Sequence, residues 1–241
     1  MKIATISDVH VKTPGDQAEV LLLKFLEHPL VISADYVALL GDIFDLMCGP
    51  HGIYLEQFKT IFNAIDKLQA NGVKVIYVEG NHDVHLKKLF EKKWKNNELL
   101  LTQSHVLLDD GKNRYYLSHG DDHEVDNVSY QRYKNIIFSK PLRFVANYLL
   151  PYRLLEFIGR KASQKSRKKG SEKFNAELVR ARFREGVSIT NPQANFIIGG
   201  HSHVKDDYVL PSGAIYLNNG YALKEQVFIY IDGQDYQFVS L

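Results

Sequence analysis

Five short polar clusters in this 241-residue chain carry side chains able to hold cations and move protons. They are Asp8-x-His10, Gly41-Asp42-x-x-Asp45, Gly80-Asn81-His82-Asp83, His119-Gly120-Asp121 and Gly200-His201-Ser202-His203. Imidazole and carboxylate donors favour divalent first-row metals, Mn, Fe, Zn or Ni, over Ca or Mg. The single cysteine, Cys48, leaves no internal disulfide and no thiolate set for a structural tetrahedral zinc. Two such ions about 3.5–4 Å apart need a shared carboxylate, and together they can activate water for in-line attack on phosphorus. The residue types therefore suit hydrolysis of a phosphate ester or diphosphate.

Chemistry of that kind requires the clusters to converge, and the sequence around them says how. Each follows a short run rich in β-branched and aromatic residues: KIATIS, YVALLGD, VKVIYVEGNHD, RYYLSHGD and NFIIGGHSH. These read as buried strands, as do AIYLNNG, VFIYIDG and YQFVSL. Helical patterns with apolar residues three and four apart run from Gln17 to His28 and from Leu55 to Ala70. Alternating strand and helix in the first half predicts a parallel sheet, and the helix-free strands after Asn195 predict antiparallel pairing. The fold class that satisfies both is α/β, with two mixed β-sheets sandwiched between helices. In open α/β sheets the loops after the strands' carboxyl ends form the site, which is where all five clusters fall. The chain reads as one domain over 1–241.

Residues 126–191 break the rhythm, with helical periodicity interrupted at Pro141, Pro151 and Gly170, and read as a helical cap inserted into that domain. The net charge of +2 is unevenly spread. From Lys134 to Arg184 there are about 14 Lys and Arg against 3 Asp and Glu, so a basic segment sits on an acidic body and predicts an anionic partner surface. The tract Lys161–Lys173 reads equally as a solvated basic loop. It lacks interleaved aromatics and a recognition module, which argues against nucleic acid. With no apolar run long enough for a signal peptide or a membrane span, the expected place is the cytoplasm, at most peripheral to the inner membrane face. The sequence carries no indication of oligomeric state.

As a set, DVH, GDxxD, GNHD, HGD and GHSH resemble the motif series of the calcineurin-like metallophosphoesterases, over nearly the whole chain. The resemblance implies a four-layer fold and two divalent ions, with Mn2+ the expected metal. It implies that Asp8, His10, Asp42 and His203 hold one ion, that Asp42, Asn81, His119 and His201 hold the other, and that Asp42 bridges. His82 would serve the leaving group, Asp45 would orient it, and Asp83 would be structural. His123 lies near enough to be a supporting residue.

The run DHEVDNVSYQRYKNIIFSKPLRFVANYLLP after HGD is similar to the UDP-2,3-diacylglucosamine diphosphatase branch, whose inserted helices form a lid over acyl chains. That resemblance implies a phosphorylated, lipid-linked substrate, cleaved to UMP and a lipid A precursor. Matching polar positions for substrate binding are Asn81, Asn127, Tyr130, Ser166, Arg167 and Lys173. Members of that branch commonly read GNRD where this chain reads GNHD. Histidine cannot offer arginine's bidentate fork to a diphosphate, so a metal-dependent phosphatase or phosphodiesterase acting on another ester remains the alternative.

Overall fold

A computed structural model describes residues 1–94, 99–155, 157 and 175–241. The first sheet has the order β13-β12-β1-β2-β4-β6. It is built from β1 (Lys2–Ile6), β2 (Tyr36–Leu40), β4 (Lys74–Val78), β6 (Leu99–Thr102), β12 (Val227–Asp232) and β13 (Asp235–Ser240). The second has the order β10-β11-β9-β8-β7, from β7 (His105–Asp109), β8 (Arg114–Ser118), β9 (Phe196–Gly199), β10 (Lys205–Val209) and β11 (Ile215–Asn219). A two-stranded ladder pairs β3 (Met47–Cys48) with β5 (Asp83–Val84), linking the loops that follow β2 and β4.

Three apolar layers hold the stack together. Between the sheets lie Ile3, Leu40, Ile76, Val78, Leu117, Ile198, Leu217 and Ile229, the side chains on the facing surfaces of both sheets. The outer face of the first sheet is covered by α1 (Gln17–Leu26) and α4 (Lys59–Ala70), through Leu22, Phe25, Ile61 and Ile65. The helix Ala176–Thr190, here α8, covers the other outer face, burying Val187 with Ile197 and Tyr216. Strands buried on both faces read as continuous apolar runs, which is why the central ones are plain in the sequence.

Three expectations need correction. The first helical pattern stops at Leu26, because His28 caps a new short helix, α2 (Pro29–Ile32); the His28 Nδ1 accepts from the Leu30 N–H at 3.2 Å. The second breaks at Phe58 into α3 (Ile53–Gln57) and α4. Pairing after Asn195 is not wholly antiparallel, since β9 and β11 run parallel. The excursion of β10, antiparallel to β11 at the sheet edge, returns the chain in the direction of β9 without a helix.

After β8 the chain forms a 3-10 turn, Asp121–His123, and then α6 (Val128–Ile137) and α7 (Lys140–Tyr148). α7 begins where the Ser139 hydroxyl caps it and Pro141 sits in its first turn, the place where proline costs no hydrogen bond. α5 (Lys87–Lys93) follows β5. Among the described residues no helix is long and apolar enough to cross a membrane.

Candidate metal centre

The five clusters meet at the carboxyl ends of β1, β2, β4, β8 and β9. Asp8, His10, Asp42 and His203 each offer a ligand atom, all within 4.8 Å of one another. The chain turns sharply to bring them there: Asp8, His10, Asp42, His201 and His203 all have φ between 51° and 64°, the left-handed region that costs a non-glycine residue energy. Gly80 matters for a different reason. A Cβ there would lie 2.2 Å from Asp42 Oδ1, so only glycine lets the two loops approach this closely.

Asp42 occupies the centre. Its Oδ2 is 3.8 Å from His10 Nε2, 3.8 Å from His119 Nε2 and 4.0 Å from His82 Nε2, while its Oδ1 accepts the His82 N–H at 2.9 Å. Burial opposes ionisation of this carboxyl, yet the surrounding His82, His119 and His10 hold it well below the usual carboxylate range. Asp8 is fixed by the His201 N–H, 2.9 Å from Oδ2, and by the Ser7 hydroxyl at 2.6 Å.

The imidazoles are aimed by their second nitrogens. His119 Nδ1 lies 2.9 Å from the Leu40 carbonyl and so carries the proton there, which turns Nε2 toward Asp42 and, at 3.3 Å, Asn81 Oδ1. His201 Nε2 pairs with Glu124 Oε2 at 2.9 Å, leaving Nδ1 as its lone-pair nitrogen; the His201 and His119 rings are 5.0 Å apart. Burial pushes His10 down to about 4, so its ring is a neutral donor. His119 behaves oppositely: burial would lower it, but Asp42 and Asp8 raise it to about 9.

These atoms fit a divalent cation. His10 Nε2 and His203 Nε2 approach to 3.1 Å, and His10 Nδ1 is buried with no hydrogen-bond partner among the described residues. Lone-pair nitrogens and carboxylate oxygens that converge in this way are satisfied together by a shared cation.

The remaining expected residues fall as follows. His82 Nδ1 is held 2.8 Å from the backbone carbonyl of Asp45, whereas the Asp45 carboxylate faces His10, with Oδ1 3.7 Å from His10 Nδ1. The His82 ring is thus within hydrogen-bond distance of the Asp45 main chain. Asn127 caps α6, its Oδ1 accepting from the Tyr130 N–H and its amide donating to Glu124, both at 3.0 Å. The Tyr130 hydroxyl reaches Asp121 Oδ2 at 3.1 Å and Asn81 Oδ1 at 3.4 Å, and Lys134 Nζ is 2.9 Å from Asp121 Oδ1, so α6 is docked against the HGD loop. Ser166, Arg167 and Lys173, with the Lys161–Lys173 tract, lie outside the described residues. His123 is turned away from the centre, its Nδ1 on the Thr190 hydroxyl at 2.8 Å.

Asp83 lies beneath the cluster. It accepts from the N–H groups of Gly80 (2.7 Å), Ile43 (2.8 Å) and Asp42 (3.1 Å) and from the Tyr77 hydroxyl (2.6 Å). Sequence reasoning missed Glu124, which joins His201 to Arg182 of α8 at 2.9 Å; its only signal was an acid three residues beyond Asp121.

A two-sheet α/β stack with carboxylates and imidazoles gathered at its strand ends defines a metal-dependent hydrolase of phosphoric esters or diphosphates. The calcineurin-like phosphoesterase family model matches residues 1–205, and the chain belongs to that family. It is 28% identical over 203 residues to the UDP-2,3-diacylglucosamine hydrolase of Haemophilus ducreyi, covering 82% of each chain. To the enzyme of that name from Aliivibrio fischeri it is 25% identical over 220 residues, covering 88% of this chain and 86% of the relative. Among solved structures, an archaeal phosphodiesterase shares the fold over the full length of both chains, with a TM-score of 0.52 at 14% identity.

Proposed function

We propose that the protein is a two-cation hydrolase that cleaves the diphosphate of UDP-2,3-diacylglucosamine, releasing UMP and the acylated sugar monophosphate. The observation that carries this reading is a cavity of about 700 Å³ opening on the donor cluster. One end is polar, with Asn81, His82 and His201; the other is formed by Tyr133, Ile137, Leu142, Ala146, Leu150 and Leu155. Ligand sites run from about 300 to 1,000 Å³, so the space suits a molecule with a phosphate at one end and hydrocarbon at the other. The hydrolases named above share this chain's family and carry such a substrate in their name.

In this reading Asp8, His10, Asp42 and His203 hold one ion, Asp42, Asn81, His119 and His201 hold the second, and Mn2+ suits the donors. When bound, such a pair neutralises phosphoryl oxygens and lowers the pKa of nearby water. The protein's own groups do the rest. The Leu40 carbonyl fixes the His119 tautomer, Glu124 fixes His201, and the Asp45 carbonyl holds His82 so that its Nε2 faces the centre and can pass a proton to the leaving oxygen. Tyr130 and Asn127 shape the mouth of the cavity, with Ser166, Arg167 and Lys173 assigned to substrate by resemblance alone. Outside the cap, Ile136, Phe144, Tyr148 and Leu149 are more than half exposed beside the exposed Lys140, a face suited to resting on an anionic membrane surface.

The test is UMP release from UDP-2,3-diacylglucosamine by purified protein with Mn2+, against a His203→Ala control. Release at the control's level removes the proposal. One observation favours a second reading, hydrolysis of another ester: His82 stands where the lipid-linked branch commonly has arginine. Equal turnover of short soluble esters and of the acylated diphosphate would support that reading.

A further inference from the structure

A second cleft, of about 540 Å³, borders the same centre through His10 and Asp45 and carries more side-chain amides than the apolar cavity's hydrocarbon end. The two share only the wall made by Asp45 and Leu46. His10 of the donor cluster faces the second cleft, whereas Asn81 and His201 face the apolar cavity. The lining of the second cleft mixes apolar residues, among them Phe58 and Leu223, with Lys12 and Gln17 from the start of α1 and the loop before it, Gln57 from α3, the acids Asp16 and Asp45, and the rings of Tyr54 and Tyr152. Those two rings pack edge to face at 5.4 Å between centroids, and the Tyr152 hydroxyl donates to Gln57 Oε1 at 3.4 Å, so a residue of the cap side roofs the cleft and positions an amide in it.

Resting on the function proposed above, we propose that this cleft seats the nucleoside half of the substrate, while the acylated sugar occupies the apolar cavity and the diphosphate spans the donor cluster between them. A molecule made of hydrocarbon alone has no use for amides and a lysine, and a simple phosphate has no use for a volume of this size. A pyrimidine nucleoside does. Its base offers a flat π-face for tyrosine and an edge of alternating donors and acceptors that a side-chain amide matches at both ends. The Lys12 ammonium, on the strand-end loop that carries His10, lies where it offsets the charge of the adjoining phosphate. Binding energy gained there, away from the reacting phosphorus, holds the diphosphate in place.

The deciding experiment titrates UMP into the Mn2+-supplemented protein by calorimetry, for wild type, Gln57→Ala, Lys12→Ala and Leu142→Trp, with thermal melts to confirm folding. The assignment expects the dissociation constant for UMP to rise about tenfold or more in the first two variants, a change of about 1.4 kcal/mol. It expects a change of less than about twofold in Leu142→Trp, which fills the other cavity. Unchanged UMP affinity in both Gln57→Ala and Lys12→Ala, or a loss confined to Leu142→Trp, overturns it. Wild type that releases no UMP from the acylated substrate sinks the function proposed above, and the cleft assignment is then decided by the UMP affinities alone.

Discussion

The carboxylate of Asp83 lies directly under Asp42 and accepts its backbone N–H at 3.1 Å, so one buried acid sets the position of the other. Burial and the neighbouring Asp42 raise Asp83 to about 6, and it is ionised at neutral pH because N–H and O–H donors surround it. In Asp83→Asn an amide NH2 would point at backbone N–H groups of Gly80 and Asp42 or of Ile43, none of which can accept it. A loss of about 3–5 kcal/mol in urea unfolding is expected, together with weaker Mn2+ binding, because the loop that carries Asp42 moves. Unchanged stability and metal affinity would show that Asp83 is dispensable.

If His119 holds a cation as proposed, its protonation links metal binding to pH. In the metal-free protein its ring is raised to about 9 from 6.5, so at pH 7 it carries a proton that a cation must displace. Mn2+ affinity should therefore climb as pH rises toward about 9, and titration of Mn2+ into weakly buffered protein at pH 7 should release at least one proton. Because the folded value is the higher one, the stabilisation is complete below about 6.5 and is lost as pH passes through about 9. A metal-free melting temperature that increases across that interval would contradict the assignment.

Gly186 of α8 faces the turn that follows the HGD motif, and a Cβ there would meet the His123 carbonyl oxygen at 1.9 Å. Gly186→Ala must push the Asp121–His123 turn away, carrying Glu124 from His201. Overpacking of this kind costs about 1–3 kcal/mol, and the accompanying loss of activity should exceed that of an exposed control such as Ser188→Ala. Parallel melts and rate assays measure both.

His82 and the metal donors should separate kinetically. His82→Ala is expected to lower kcat by about 10²–10⁴-fold while leaving metal content intact, the usual contribution of a single general acid. His203→Ala should lower metal content as well as rate. Elemental analysis alongside steady-state kinetics distinguishes them, and equal metal loss in the two variants would place His82 among the ligands.

Much of this was legible in the sequence because the central strands are buried on both faces and end directly in the polar clusters, so apolar run and motif mark the same boundary. The strands that escaped, β6, β7 and β10, lie at sheet edges. There one face meets solvent, and sequences such as KDDYV carry charge through the strand and lose the apolar signal. The two short strands β3 and β5 are created by pairing between loops and have no periodicity to read. The residues that converge at the strand ends stand out because acids and histidines beside glycine are unusual directly after apolar runs. Their supports do not: Glu124 reaches His201 from 77 positions away, and no local pattern encodes such a contact. His82 Nδ1 meets the Asp45 carbonyl, an atom every residue has, so no residue type marks that contact in the sequence.

The sharing of Asp42 between two cations is tested most directly by electron paramagnetic resonance of the Mn2+-loaded protein with parallel elemental analysis. Close to two Mn2+ per chain, with a spin-coupled spectrum that Asp42→Asn abolishes, is the predicted result. One Mn2+ per chain, giving an isolated six-line signal in the wild type, would contradict it.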